Sequence, residues 1–172
     1  MNQLVFLIGM PGAGKTFWGR LWAGAYDWHY IDLDGQIESN TGKKIATIFQ
    51  EEGEKSFREI EQSVLAKAIA AAQSDTIISC GGGTPVFFNN LELMKSKGCV
   101  VFLKADIQSL MLNLEKEKLI RPLLIGNATE KLQALLSERG HIYEQADIIY
   151  EVKSLTETTF AEILSVCTNR HS

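Results

Sequence analysis

The sequence predicts an α/β fold, a three-layer sandwich with helices flanking both faces of a parallel sheet, and three observations predict it. Leu4-Val5-Phe6-Leu7-Ile8 is a continuous apolar run, rich in β-branched and aromatic residues and ending at Gly9, as expected of a strand buried on both faces. Comparable runs recur at 75–79, 99–103 and 147–150, with a weaker one at 28–32, so five strands are expected. Helical patterns fill the gaps, and parallel neighbours need crossovers of about a dozen residues or more.

The clearest helix spans 54–73, where Phe57, Ile60, Val64, Ala68 and Ala71 recur at steps of three and four and line one face. Further helices are expected near 15–25, 34–40, 91–97, 107–114, 128–143 and 155–167. The segment 115–126 breaks the alternation with a charge cluster, Pro122 and Gly126. It reads either as a mobile flap or as a solvated surface loop. Pro122 biases Arg121 away from the α region, so a helix entering this segment should end by Arg121. No repeat, low-complexity tract or linker interrupts the chain, which is expected to form one domain over 1–172.

Composition narrows the function classes. The 172 residues suffice for a sizeable core, and 45% hydrophobic against 22% charged residues excludes global disorder. Seventeen Lys plus Arg against twenty-one Asp plus Glu, a net charge of −4, argues against a nucleic-acid binder, which needs a basic face. Cys80, Cys99 and Cys167 are odd in number and far apart, so neither a disulfide framework nor a CxxC metal site is expected. His29, His141 and His171 show no ligand spacing. Trp18, Trp22 and Trp28 are expected to pack on the first helix and its neighbouring strand. Without an apolar run approaching ~18 residues or a leader pattern, a soluble, cytoplasmic monomer with no membrane partner is expected.

Gly9-Met10-Pro11-Gly12-Ala13-Gly14-Lys15-Thr16 fits G-x-x-x-x-G-K-[ST] between a buried strand and a helix, the context the motif requires. Its glycines let successive N–H groups of Gly12, Ala13 and Gly14 turn toward a phosphate, which the helix N-terminus also attracts. Lys15 adds a full charge on the β/γ oxygens, and the Thr16 hydroxyl is a hard oxygen ligand suited to Mg²⁺. A nucleoside triphosphate with Mg²⁺ is the implied cofactor.

On the acceptor side, Asp32-Leu33-Asp34 closes the second strand run, and alternation puts both carboxylates on one face if the strand persists through them. Asp32 then suits the metal's water shell, and Asp34 suits a hydrogen bond from an attacking hydroxyl. Alternatively, Asp34 is an N-cap for the next helix. Gly81-Gly82-Gly83 ends the third strand run and either admits a ligand close to backbone or is a tight turn. Arg58 has Glu54 and Glu61 at i−4 and i+3, the pattern of a surface salt bridge, and Arg139 lies late in its helix, where a cation suits the macrodipole. Together, Arg58 and Arg139 make two planar forks for a small carboxylate or phosphate, with Arg121 as a third charge near the transferring phosphoryl group. The chemistry expected is that of a small-molecule kinase with an anionic, hydroxylated acceptor.

Several motifs occur in one order: residues 9–16, the Asp32/Asp34 pair, and Ile48-Phe49-Gln50-Glu51-Glu52-Gly53-Glu54-Lys55-Ser56-Phe57-Arg58-Glu59-Ile60-Glu61. Gly81-Gly82-Gly83, Arg121-Pro122-Leu123-Leu124, and Arg139 with Tyr143, Ala146 and Asp147 follow. With these the chain resembles the shikimate kinase family over about 4–149, the long block matching its I-F-x-x-x-G-E-x-x-F-R-x-x-E pattern. The resemblance implies a nucleoside monophosphate kinase type of P-loop fold, strand order 2-3-1-4-5, and transfer of the ATP γ-phosphate to the 3-hydroxyl of shikimate in aromatic amino acid biosynthesis. It assigns shikimate to a region about 33–61 and a short lid to about 115–126. Asp34 would contact the hydroxyl, while Arg58, Arg139 and the Gly81-Gly82 backbone would hold shikimate and Glu61 would orient Arg58. Ile45, Phe49, Phe57, Pro122 and Leu123 would wall the ring. Lys15, Thr16 and Asp32 would serve ATP and Mg²⁺, Asp32 through water, and Arg121 would close over the phosphates. Glu151-Val152-Lys153-Ser154-Leu155-Thr156 stands where the family usually has a short polar loop near the adenine. Two other readings are a gluconate or nucleoside monophosphate kinase and a non-catalytic nucleotide-binding module, which would be expected to lose Lys15 or Asp34.

Overall fold

The computed structural model describes residues 2–116 and 127–168. Five strands, β1 (Leu4–Ile8), β2 (His29–Asp32), β3 (Thr76–Ser79), β4 (Cys99–Lys104) and β5 (Ile148–Glu151), form one sheet in the order β2-β3-β1-β4-β5. Every pairing is parallel. The central strand is β1, and all five of its residues are buried, as its unbroken apolar run requires when side chains on both faces meet a covering layer. In register, Leu7 and Asp32 both lie opposite Ser79, so β1, β2 and β3 end together. Their carboxyl ends open into one crevice, the place where open parallel sheets bind ligands.

The helices are α1 (Lys15–Tyr26), α2 (Leu33–Thr41), α3 (Ile45–Ala71), α4 (Asn90–Lys97), α5 (Ile107–Lys116), α6 (Ala128–Tyr143) and α7 (Thr159–Thr168). Two depart from the sequence pattern. Helix α3 begins at Ile45, well before residue 54, and bends at Gly53, whose φ of 81° and ψ of 173° interrupt it. The charged stretch 50–55 hides this first segment, although Ile48 is fully buried. Helix α7 starts at Thr159 rather than 155, because Val152–Ser154 forms a 3-10 turn and Thr159 Oγ1 accepts from the Thr156 amide at 2.9 Å. Such local side-chain bonds compete with continuous helix.

Helix α7 closes an aromatic cluster. Phe160, fully buried, stacks on Trp22 at 5.6 Å between centroids and meets Tyr26 and Trp28 edge-on, each at 5.1 Å. Trp22 and Trp28 therefore pack against α7 as well as on their own elements, while Trp18 packs on Trp22. The structure also corrects the cysteine reading: Cys99 at the start of β4 and Cys167 in the last turn of α7 form a disulfide. Their separation of 68 residues conceals a neighbour relation made only by folding. Cys80 is a buried free thiol.

Residues 117–126, with Arg121, Pro122, Leu123 and most of the expected lid, lie outside the described residues. Among the described residues, no helix is long and apolar enough to cross a membrane.

Gly98 joins α4 to β4 where the chain passes directly under Leu4. A Cβ there would meet the Leu4 carbonyl oxygen and lie 2.8 Å from Leu4 Cβ. Neither neighbour can swing aside, since both belong to the central strand. Gly98→Ala should destabilise the fold by about 1–3 kcal/mol, the usual cost of overpacking. Gly24→Ala, in α1 with nothing within 4 Å of its new Cβ, should stabilise by roughly 0.5–1 kcal/mol. Urea unfolding of both variants checks the contrast.

Candidate active site

The strand-to-helix turn after β1 builds the first half of the site. Gly12 and Gly14 each have φ near 84°, the left-handed region that favours glycine. Lys15 is buried, and its Nζ donates to the carbonyls of Gly9 and Met10, each at 2.9 Å. No side chain caps the N-terminus of α1, so its leading N–H groups and partial positive charge face the crevice. The turn is braced by α5, from which Asn113 Nδ2 donates to the Gly12 carbonyl at 2.8 Å. A Cβ on Gly12 would lie 2.9 Å from Leu114 Cγ, so glycine is needed there for space as well as conformation. The sequence carried no sign of the Asn113 brace.

Thr16 and Asp32 meet beside this turn, with 3.5 Å between Thr16 Oγ1 and Asp32 Oδ2. The strand does not continue through the acidic pair. Strand β2 ends at Asp32, whose Oδ1 accepts from the Gly35 amide at 3.3 Å, and α2 begins at Leu33. Asp32 is therefore the N-cap, and Asp34 lies in the first helical turn. The shared-face expectation from strand alternation fails, as does the alternative that made Asp34 the cap. A hydroxyl and a carboxylate suit Mg²⁺, which usually retains waters and binds phosphate oxygens. No cluster of three His, Cys, Asp or Glu side chains able to hold a metal occurs among the described residues.

Gly81-Gly82-Gly83 forms the floor of the second half, and each glycine lies against a different functional side chain. A Cβ on Gly81 would be 2.9 Å from Asp34 Oδ1, and one on Gly82 would be 3.5 Å from Arg139 Nη1. On Gly83 it would be 2.6 Å from Arg58 Cζ. The missing side chains of Gly81 and Gly83 thus admit a carboxylate from α2 and a guanidinium from α3, while Gly82, tight against Pro11 at 3.0 Å, lies in contact with the guanidinium from α6.

Arg58 is 7% exposed, so of the two ion pairs suggested by sequence spacing the one with Glu61 is interior, while Glu54 reaches the cation from the surface. Its Nη1 donates to Glu61 Oε2 at 2.9 Å, while Nη2 and Nε donate to Glu54 Oε1 at 3.1 and 3.4 Å. Glu61, only 1% exposed, also accepts from Thr84 Oγ1 at 2.6 Å. Burial pushes the Glu61 carboxyl above the usual carboxylate range, although its bonds to Thr84 and Arg58 pull the other way. The expected ring walls Phe49 and Phe57 stack at 4.5 Å beside this guanidinium.

Arg139 is 9% exposed, and its buried Nε has no hydrogen-bond partner among the described residues. One turn later, Tyr143 donates its hydroxyl to the Gly82 carbonyl at 2.5 Å and sits 3.9 Å from Met10 Sδ in the phosphate loop. Burial pushes the Tyr143 hydroxyl up to about 12, so it remains a donor. Asn90, fully buried at the head of α4, donates to the Thr84 carbonyl at 2.9 Å. Thr84 and Asn90 escaped the sequence reading because they lie 23 and 29 residues beyond Glu61. Burial also pushes the Cys80 thiol up, and His29 and His141 are exposed, so none of these is a reactive centre of the crevice.

Comparison with known proteins gives a consistent result. The family model for shikimate kinase matches residues 11–168. A shikimate kinase from Parabacteroides distasonis is 41% identical over 164 residues, covering 92% of this chain and 94% of the relative. Among solved structures, a shikimate kinase from Bacteroides thetaiotaomicron superposes with a TM-score of 0.87 at 32% identity, covering 95% of this chain and 98% of that one. One from Acinetobacter baumannii in complex with shikimate gives 0.85 at 31% identity, with 95% and 91% covered.

The Glu61 shift has a definite sign. A folded-state carboxyl held above its unfolded value binds its proton more tightly in the native protein, so its contribution to stability falls as pH rises through the raised pKa. Relative to Glu61→Gln, the wild type should lose stability as pH rises from about 4 toward neutrality. Urea unfolding of both proteins across that range checks this; a relative gain would mean that pairing with Arg58 outweighs burial.

Proposed function

The chain belongs to the shikimate kinase family, and we propose that it holds shikimate over Gly81-Gly82-Gly83 while ATP lies along the phosphate loop. Its reaction is the ATP-dependent phosphorylation of shikimate in aromatic biosynthesis, with Mg²⁺. The observation that carries the residue assignment is the glycine floor, against which Asp34, Arg139 and Arg58 converge.

Hydrogen-bond capacity supports the role of Arg58. A guanidinium has five N–H donors. Three serve Glu54 and Glu61, which leaves one on each terminal nitrogen. Two such donors match the two oxygens of a carboxylate. Arg139 offers a second fork from α6 and an Nε without a partner among the described residues. We assign the substrate's carboxylate to these two arginines and to the backbone of Gly81 and Gly82. Asp34, across the floor, then accepts a hydrogen bond from the attacking 3-hydroxyl and takes its proton as the new bond to phosphorus forms.

Lys15 exchanges the Gly9 and Met10 carbonyls for phosphate oxygens when ATP arrives and neutralises charge on the group in transfer. The N–H groups of Gly12, Ala13 and Gly14 complete the cradle. The Thr16 hydroxyl, and Asp32 through water, would hold Mg²⁺, which would supply positive charge to the phosphate oxygens. We further assign the whole chain to one domain, the shikimate region to about 33–61 and the lid to about 115–126, from which Arg121 closes on the phosphates.

A coupled ADP-release assay tests the reading: ADP should form rapidly only when shikimate is added. Lys15→Ala should lower kcat by about 10²–10³, the typical loss for one preorganised charge-stabilising donor. Asp34→Asn should lower kcat more than it raises the shikimate KM, since the amide keeps the shape but cannot take the proton. ADP release indifferent to shikimate, or normal turnover in Lys15→Ala, would contradict the assignment.

A further inference from the structure

Glu54 and Glu61 hold Arg58 by hydrogen bonds, and a further residue sets an aromatic ring against it. The loop between the glycine floor and α4 carries Phe87, whose ring centroid lies 4.2 Å from Arg58 Cζ. This is closer than Phe57 at 5.0 Å or Phe49 at 5.9 Å, both of which share α3 with the arginine. Phe87 alone among these rings comes from another element. The backbone beside it gives a second, independent observation: Phe88 has φ of 53°, a left-handed conformation that a bulky residue rarely adopts. The Phe88 side chain is 52% exposed, so its own packing does not account for that conformation. What the turn accomplishes is to direct the chain into α4 after Phe87 has been laid on the guanidinium, with the Asn90 amide closing on the Phe87 carbonyl at 3.4 Å. Backbone strain of this kind persists where the surroundings over-determine it, and functional sites are where it gathers.

We propose that Phe87 is a positioning residue for shikimate binding, its ring covering one face of the Arg58 guanidinium so that the two remaining N–H groups stay in plane for the substrate's carboxylate. The inference rests on the assignment of Arg58 to that carboxylate. The ring supplies what the carboxylates do not. Hydrogen bonds to Glu54 and Glu61 resist displacement within the guanidinium plane but tolerate tilting about their own axes. A π face resists tilting, attracts the cation and keeps water from one side of it, which strengthens the pull on an incoming anion.

The experiment is steady-state kinetics with ATP and shikimate, alongside urea unfolding, on Phe87→Leu, Phe87→Tyr, Arg58→Lys and Arg58→Lys/Phe87→Leu. Leucine fills space but offers no π face. It should raise the shikimate KM about three- to thirty-fold, the range expected from the strength of a cation–π contact, and leave kcat and the ATP KM within about two-fold. Tyrosine should restore wild-type KM. Arg58→Lys should itself raise the KM, because an ammonium has neither the fork nor a face to stack. Adding Phe87→Leu to it should raise the KM by a clearly smaller factor than Phe87→Leu does alone, since an ammonium keeps some attraction to the ring but has no plane for the ring to hold. An unchanged KM in Phe87→Leu, failure of tyrosine to restore it, or full additivity with Arg58→Lys would overturn the proposal while leaving the carboxylate assignment in place. An unchanged KM in Arg58→Lys would overturn both.

Discussion

The acceptor half of the crevice is arranged around one constraint, the burial of the Arg58 guanidinium. A cation taken out of water needs a partner and full hydrogen bonding, or the desolvation cost is not offset. Glu61 is that partner, itself almost completely buried and held by Thr84. Gly83 must lack a side chain because the guanidinium occupies the space where one would be. Asn90 then fixes the loop by binding the Thr84 carbonyl. On α3, the bend at Gly53 comes one residue before Glu54, which takes the remaining edge of the cation. Removing Glu61 would leave an uncompensated charge in the interior, which is why a pair so costly to bury is also costly to break.

The two halves of the crevice are connected through a few contacts. Tyr143 joins the Gly82 carbonyl to the region of Met10, so the glycine floor and the phosphate loop share one buried hydroxyl. Asp34 stands in the first turn of α2, two residues after the cap residue Asp32 that reaches Thr16. The group proposed to meet the acceptor hydroxyl and the carboxylate beside the phosphate loop are thereby two residues apart, across the junction of β2 and α2. At the other end of α1, Trp22 Nε1 donates to the Thr156 carbonyl at 3.1 Å. Lys153, in the 3-10 turn just before, pairs with Asp106 at the head of α5. The segment 151–156, which departs from the family's usual polar loop, is thus tied to the helix that opens at the phosphate loop and to the helix that braces it.

Most of the sheet was legible because apolar runs such as 4–8 and 99–103 are constrained on both faces and admit little else. The phosphate loop was legible because its chemistry lies within eight consecutive residues. Elements failed where local polarity or hydroxyl bonding overrode the pattern: the first segment of α3 behind the charges at 50–55, and the delayed start of α7 after Thr156. Asp32 and Asp34 were misplaced because alternation extrapolates a strand, whereas the carboxylate of Asp32 ended it by capping a helix. The burial of Arg58 could not be read, since Glu54 and Glu61 stand at the same spacing on an exposed helix as on a buried one. Gly83 and Phe87, which pack on the guanidinium, and Thr84, which holds Glu61, belong to a loop that only the β3-to-α4 connection brings near. The roles of Arg58 and Arg139 as a pair became specific through the family motifs rather than through spacing.

In the proposed site, two arginines from different helices grip the substrate's carboxylate over the glycine floor. The most direct measurement is kcat/KM for shikimate and for its methyl ester, on the wild type and on Arg139→Ala, which closes a cycle between one side chain and one substrate group. Losing a charged partner in a closed site costs about 2–5 kcal/mol, much of it from the charge left unpaired. Esterification should therefore penalise the wild type heavily and Arg139→Ala much less, since half of the grip is already missing there. Equal ester penalties in the two proteins would mean that Arg139 does not meet the carboxylate, and the arrangement inferred from the glycine floor would be wrong.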